Sequence, residues 1–190
     1  MQKHQHFIIN KPYGYLSQFK YDLKGKKKLL GDLHDFPHGT MAIGRLDEDS
    51  EGLLLLTTDG KVSEQIRSKK VEKEYYAQVD GIINNEAVIK LQNGVEIGFD
   101  GEKYITKPCK LFIINKIPDF GLRAKKIRDD RHGPTSWVSI TINEGKFRQV
   151  RKMTAAVGFP TLRLVRVRVG SIYLNNLKSG SVLELDNFNL

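Results

Sequence analysis

Residues 44–52 read Gly-Arg-Leu-Asp-Glu-Asp-Ser-Glu-Gly, which puts four carboxylates, Asp47, Glu48, Asp49 and Glu51, within five positions. Four kinds of chemistry compete for them. A calcium loop would use Asp47, Asp49, Glu51 and Gly52 at its first, third, fifth and sixth positions. Its twelfth position is then Thr58 instead of a bidentate Glu, and the loop would run through the apolar Leu53–Leu56, so this reading fails. A magnesium-dependent nuclease would use Asp47 and Asp49, but needs a further ligand that the sequence does not identify. The third possibility is a solvated acidic turn with no chemistry. The fourth is one catalytic aspartate, Asp47, set on a turn by Gly44 and faced by a cation from a helix at 146–157. The residues alone leave the last three open.

Other reactive side chains are sparse. His34 and His38 are four apart, but Pro37 interrupts any helix that would align them. His4, His6 and His132 read as surface residues. Cys109 is the single cysteine, which excludes an internal disulfide framework and a Cys-rich zinc knuckle, and it reads as a small apolar filler. No phosphate-binding loop or dinucleotide fingerprint occurs; Gly98-Phe99-Asp100-Gly101 lacks the spacing for one.

The elements that must position these residues follow from pattern. Phe7–Ile9 reads as a strand stopped by the Asn10–Gly14 turn, and Tyr15–Phe19 as a second strand. Leu53–Thr57 is short and wholly apolar, as a buried strand is. Asp59 caps a helix over 61–67, and Asn84 or Asn85 caps another that reaches Leu91. Further strands are expected at 75–80, 110–115, 137–143, 161–169, 172–174 and 182–185. In the 146–157 helix, Phe147, Val150, Thr154 and Val157 form one buried stripe, and Arg148, Arg151, Lys152 and Ala155 a second, mostly basic one. Strands and helices intersperse without a strict alternation, so the fold class is α+β with a mixed or largely antiparallel sheet.

The chain has 190 residues and a mass of 21.7 kDa, enough for a continuous core. Its formal net charge is +9 and its pI about 9.5. Residues 1–120 carry 18 Lys/Arg against 17 Asp/Glu, whereas 121–170 carry 12 against 3. The surplus therefore lies in one stretch of fifty residues, and a polyanion is its natural partner. The longest apolar run is too short to span a bilayer, and the N-terminus lacks the apolar core of a signal peptide, so a cytoplasmic location is expected.

Several motifs occur in a fixed order: Asn10-Lys11-Pro12-Tyr13-Gly14; Gly44-Arg45-Leu46-Asp47 followed by Ser50-Glu51-Gly52-Leu53-Leu54-Leu55-Leu56-Thr57; Lys73-Glu74-Tyr75; and Glu144-Gly145-Lys146-Phe147-Arg148-Gln149-Val150-Arg151-Lys152-Met153. The set resembles the RsuA-type branch of the pseudouridine synthases. Pro134-Thr135-Ser136-Trp137 and Val157-Gly158-Phe159-Pro160-Thr161-Leu162-Arg163-Leu164 are similar to its RluE-like members, which act on large-subunit ribosomal RNA.

The resemblance implies a pseudouridine synthase fold: a long, mixed, mostly antiparallel sheet with flanking helices and a central active-site cleft. It implies isomerisation of uridine to pseudouridine in RNA with no metal and no organic cofactor. Asp47 corresponds to the catalytic residue. Tyr75 and Leu164 line the base pocket, and Arg151 pairs with Asp47. Arg45 is expected, from its place two residues before Asp47, to contact a phosphate and hold the base flipped. Residues 1–190 are then one catalytic domain, with room for two subdomains around the cleft and no separate N-terminal RNA-binding domain. That places the RNA grip on Arg148, Lys152, Arg163 and Arg166, and on a flexible arm bearing Arg123, Lys125, Lys126 and Arg128. The expected partner is RNA, not DNA or a membrane, and the expected state is a monomer.

Overall fold

The structure is a computed structural model that describes residues 3–21, 24–68, 71–128 and 130–190. Eleven strands form among them: β1 (His6–Lys11), β2 (Met41–Ile43), β3 (Glu51–Thr57), β4 (Lys73–Asp80), β5 (Glu96–Phe99), β6 (Glu102–Ile105), β7 (Lys110–Ile114), β8 (Thr135–Ile142), β9 (Thr161–Val169), β10 (Ile172–Tyr173) and β11 (Val182–Leu185). Three α-helices accompany them: α1 (Gly60–Ser68), α2 (Asn85–Asn93) and α3 (Gln149–Ala156). Nine strands make one sheet in the order β11-β1-β3-β9-β4-β8-β7, with β2 beside β3 and β10 beside β9. Every pairing is antiparallel except β3 with β9. The expected α+β architecture is what forms.

The sheet is covered on both faces because β3 is apolar on both. Leu54 and Leu56 point into one core with Phe7, Ile9, Ala77, Val79, Ile140 and Met153. Leu53 and Leu55 point into the other with Ile8, Ile66, Val165 and Val169. This is the two-residue period of a strand with no solvent face. Both expected caps form. Asp59 Oδ1 accepts from the amides of Lys61 and Val62, and Asn84 Oδ1 accepts from Ala87 at 2.9 Å.

The parallel contact is short: Glu51 is opposite Val165, and Gly52 opposite Arg166. Gly52 has φ +103°, and its Cα lies against the Arg166 backbone. A methyl group there would sit 2.7 Å from the Arg166 amide nitrogen and closer still to its carbonyl oxygen. Beside it, Arg163 grips Glu51 through two hydrogen bonds, Nε–Oε2 at 3.0 Å and Nη2–Oε1 at 2.8 Å, with both side chains buried.

Four expectations need correction. Tyr15–Phe19 is not a strand: Tyr15 makes a single bridge to Lys28, and the rest serves as a bracing loop. The β5–β6 hairpin was not anticipated, although Asp100-Gly101, with φ 55° and 81°, is the Asp-Gly pair of a tight hairpin turn. Helix α3 starts at Gln149, not 146, because Arg148 is left-handed at φ 54°. Phe147 therefore falls outside the helix and is two-thirds exposed, and the buried face is Gln149, Val150, Met153 and Thr154. The basic arm is also anchored at both ends. Arg123 covers the Tyr13 ring, and Arg128 pairs with Asp80 at 2.6 Å.

Gly52→Ala should cost about 3 kcal/mol or more in a urea titration, since backbone must move to admit the methyl. Gly44→Ala is the control. Gly44 also has positive φ (+74°), but its missing Cβ would meet nothing within 4 Å, so the expected cost is only about 1–2 kcal/mol. Equal losses would mean that the β3–β9 approach is not the constraint.

Candidate active site

Asp47 sits on the loop between β2 and β3, and the sequence holds that loop by its neighbours. The Leu46 amide donates to Ser17 Oγ at 3.0 Å, and the same hydroxyl donates back to the Leu46 carbonyl at 2.8 Å. The Gly14 amide donates to the Glu48 carbonyl at 2.8 Å, and the Ser50 amide to the Asp47 carbonyl at 3.0 Å. The turn that supplies Gly14 is itself fixed by Lys11. This lysine is fully buried, and its Nζ donates to the carbonyls of Pro12 (3.0 Å) and Tyr15 (2.7 Å). Burial brings its pKa down to about 8, against the opposing pull of Glu51, Asp49 and Asp47.

Around Asp47 lies an electrostatic cluster. Arg148 Nη1 is 3.6 Å from Asp47 Oδ2, but its guanidinium makes two hydrogen bonds of 2.9 Å to Asp49. Arg151 donates to the Asp49 carbonyl at 2.8 Å and to the Thr161 carbonyl at 3.3 Å, and approaches Asp49 Oδ2 at 3.5 Å. The expected Arg151–Asp47 pair is thus replaced. Arg148 is the cation against Asp47, and Arg151 acts on that carboxylate only through its field. Burial pushes the Asp47 pKa up, and the like charge of Asp49 adds to this while the two arginines oppose it. Asp49 shares the partial burial, but its hydrogen bonds from Arg148 and the field of Arg151 leave it below the usual carboxylate value. The nuclease reading loses its second ligand here, since two arginines occupy Asp49.

Asp47 opens onto a cavity of about 750 Å³ whose lining includes Arg45, Lys73, Tyr75, Leu164 and Arg166. Tyr75 lies on β4 between Ile140 of β8 and Arg166 of β9. Tyr76 points to the opposite face, where its ring meets Phe120 at 6.0 Å. Leu164 is buried in the wall, and Arg45 is exposed at the mouth. Asp47, Tyr75, Leu164, Arg45 and Arg148 therefore share one cavity. Lys73 and Arg166 were not anticipated in it. Lys73 is two residues from Tyr75 on the same face of β4, a placement legible from strand period alone. Burial and the neighbouring Arg166 charge lower its pKa.

The residues expected to grip RNA divide. Arg163 and Arg166 are buried, because β9 is a central strand: Arg163 holds Glu51, and Arg166 Nε donates to the Leu53 carbonyl at 2.7 Å. They are corrected from surface contacts to internal ones. Lys152 donates to the Gly98 carbonyl at 2.6 Å. Lys125 and Lys126 remain exposed. Cys109 donates to the Leu91 carbonyl, and burial pushes its thiol up to about 11, so it is no nucleophile at neutral pH.

A nine-stranded sheet with a carboxylate-bearing cavity beside β3, β9 and β4 is an architecture shared with solved proteins. A crystal structure of a pseudouridylate synthase superposes with a TM-score of 0.75 at 30% identity, over 97% of this chain and 71% of that one. The sequence matches the RNA pseudouridylate synthase family over residues 5–156, and the chain belongs to that family. Among its relatives, the ribosomal large subunit pseudouridine synthase E of Vibrio parahaemolyticus serotype O3:K6 is 42% identical over 97% of this chain and 75% of its own length. The synthase of the same name from Xanthomonas axonopodis pv. citri is 41% identical, over 90% of this chain and 88% of its own.

Lys11 gives a pH signature. Its pKa is lower folded than unfolded, so the unfolded chain binds more protons between pH 8 and 10.5, and stability rises through that window. Relative to Lys11→Met, the wild-type unfolding free energy should climb by up to about 3 kcal/mol between pH 7 and 10.5 in denaturant titrations. Parallel curves for the two proteins would show that Lys11 is not buried as described.

Proposed function

We propose that this synthase converts a uridine of large-subunit ribosomal RNA to pseudouridine in the cytoplasm, with Asp47 as the catalytic residue and residues 1–190 as one catalytic unit. One observation carries the reading: a carboxylate in an open cleft beside an aromatic side chain, with its nearest arginine engaged mainly by a second carboxylate. The relatives' names support the choice of RNA.

The reaction breaks the bond from the ribose anomeric carbon to N1 of uracil and joins the same carbon to C5. The proton on C5 is lost and N1 gains one, so atoms balance without a redox partner. Asp47 serves in its ionised form, whether it attacks the anomeric carbon, adds to the base or takes the proton at the ribose 2′ carbon. Tyr75 offers a face to the flipped base, and Leu164 packs beside it. Lys73 and Arg166 present cations to a base that carries negative charge once detached. Arg45 at the mouth meets a phosphate and keeps the nucleotide out of its helix. Exposed Lys125 and Lys126, with Lys152, supply salt-sensitive backbone affinity.

Tritium release from large-subunit RNA labelled at C5 of uridine tests this. Wild type should release label with chelator present, and Asp47→Ala should release at least a thousandfold less. Release by both proteins, or by neither on naked RNA and on precursor particles, would sink the assignment.

Asp49→Asn tests the cluster. It frees Arg148 to close on Asp47 and removes a like charge, so the Asp47 pKa falls. The acid limb of the rate–pH profile should therefore sit above 3.8 in wild type and move to lower pH in the variant. Turnover at neutral pH should drop on the order of tenfold, since a carboxylate in a tight ion pair is less reactive. An unshifted limb would show that Asp49 does not restrain Arg148.

A further inference from the structure

Beyond the main cavity, Tyr13, Gly14, Glu48, Asp49 and Arg148 line a second, open hollow of about 300 Å³. It shares Glu48 and Arg148 with the main cavity, so the two adjoin at those residues. We propose that this hollow is a subsite for the nucleotide next to the target uridine, and that it takes a base bearing an exocyclic amino group in preference to uracil. The inference rests on the pseudouridine synthase reading and adds a specificity determinant to it.

The need for such a site follows from base flipping. When a uridine leaves its stack, the neighbouring base loses a stacking partner and exposes a π-face. Tyr13 can replace that partner at low entropic cost, because it is already held. The Arg123 guanidinium lies 4.5 Å from its ring centroid and covers one face. Arg123 is itself fixed to the carbonyls of Lys125 (2.7 Å) and Leu162 (3.3 Å). The Lys11 hydrogen bonds and the Gly14–Glu48 bond brace the Tyr13 turn against the loop that carries Asp47. A base added to the Tyr13–Arg123 stack is therefore positioned relative to the reacting uridine.

The remaining walls select the base. Glu48 and Asp49 already accept from Lys27 and Arg148, but each carboxylate oxygen keeps a further lone pair. An amino group on cytosine, adenine or guanine brings two N–H donors to these lone pairs, whereas uracil brings only its N3–H, flanked by two carbonyl oxygens that the carboxylates repel. Arg148, at the junction and with its side chain 35% exposed, faces the phosphodiester that joins the two nucleotides. Glu48 also carries a lysine partner, Lys27 at 2.9 Å, which offsets the repulsion that an acidic rim would exert on the RNA backbone.

The experiment uses the full chain and an RNA fragment carrying the uridine mapped by tritium release. Each flanking nucleotide is replaced in turn by an abasic one and by uridine. With wild type, an abasic residue on one side should raise KM on the order of tenfold and leave kcat within a factor of about two, with uridine falling between. Tyr13→Ala should show the raised KM on intact RNA and no further rise on the abasic RNA, while Tyr13→Phe restores wild-type KM. Wild type indifferent to an abasic residue on both sides overturns the subsite even if Tyr13→Ala does not fold. So does a Tyr13→Ala loss that adds fully to the abasic loss. No release by wild type from intact RNA instead removes the synthase reading, and the subsite with it.

Discussion

The two-residue parallel contact between β3 and β9 is the constraint on which the rest depends. All other strand pairs of the sheet are antiparallel, whereas β3 and β9 lie more than a hundred residues apart in sequence and pair only at Glu51–Val165 and Gly52–Arg166. Gly52 permits the backbone approach, and the Arg163–Glu51 fork sets its register. A buried ion pair is not in itself a strong source of stability, because both charges lose water. Its value here is geometric: Arg163 donates from both Nε and Nη2 to the two Glu51 oxygens, which fixes the orientation of that carboxylate. Since the Asp47 loop enters β3 directly and Leu164 and Arg166 lie on β9, that orientation also fixes how Asp47 faces the pocket wall.

The same contact explains where the charge goes. Segment 121–170 holds the net positive surplus, yet many of its arginines are engaged inside the protein. Arg163 meets Glu51, Arg168 meets Glu72 and Glu74, Arg128 meets Asp80, and Arg148 and Arg151 meet Asp49. The carboxylates come mainly from the first half of the chain, which is nearly neutral as a whole. The two halves are electrostatically complementary, and the basic segment is as much a folding partner for the acidic loops as a surface for RNA.

This is why sequence served some features and not others. The elements with a local signature were legible: the all-apolar β3, the alternating β8, and the helices capped by Asp59 and Asn84. Asp47, Tyr75 and Leu164 were legible as a group because an ordered set of motifs carried them. Features set by distant partners were not. Arg163 and Arg166 alternate with apolar residues as surface arginines on an amphipathic strand do, and only the neighbours β3 and β4 bury them. The start of α3 hinged on one left-handed residue, Arg148, which periodicity does not register. Lys11 gave no hint of burial, since its partners are backbone carbonyls that any sequence possesses. The β5–β6 turn is legible in Asp100-Gly101, the residue pair of a tight hairpin.

The cluster around Asp47 resolves two opposing demands. In the catalytic role proposed for it, the aspartate must be ionised near neutral pH, although burial favours its neutral form, so a cation must be close. It must also stay reactive, so that cation must not satisfy it fully. One arginine and one carboxylate meet only the first demand, since at hydrogen-bonding distance they would neutralise each other. Adding Asp49 meets both. It takes both Nη groups of Arg148 at 2.9 Å and leaves Asp47 at 3.6 Å, within the field of the guanidinium but outside hydrogen-bonding distance. Arg151 then anchors Asp49 through its main-chain carbonyl and compensates part of the second negative charge. A carboxylate left under-coordinated requires a rigid frame, and the buried Lys11, the Ser17 hydroxyl and the glycine-tight β3–β9 contact together provide it.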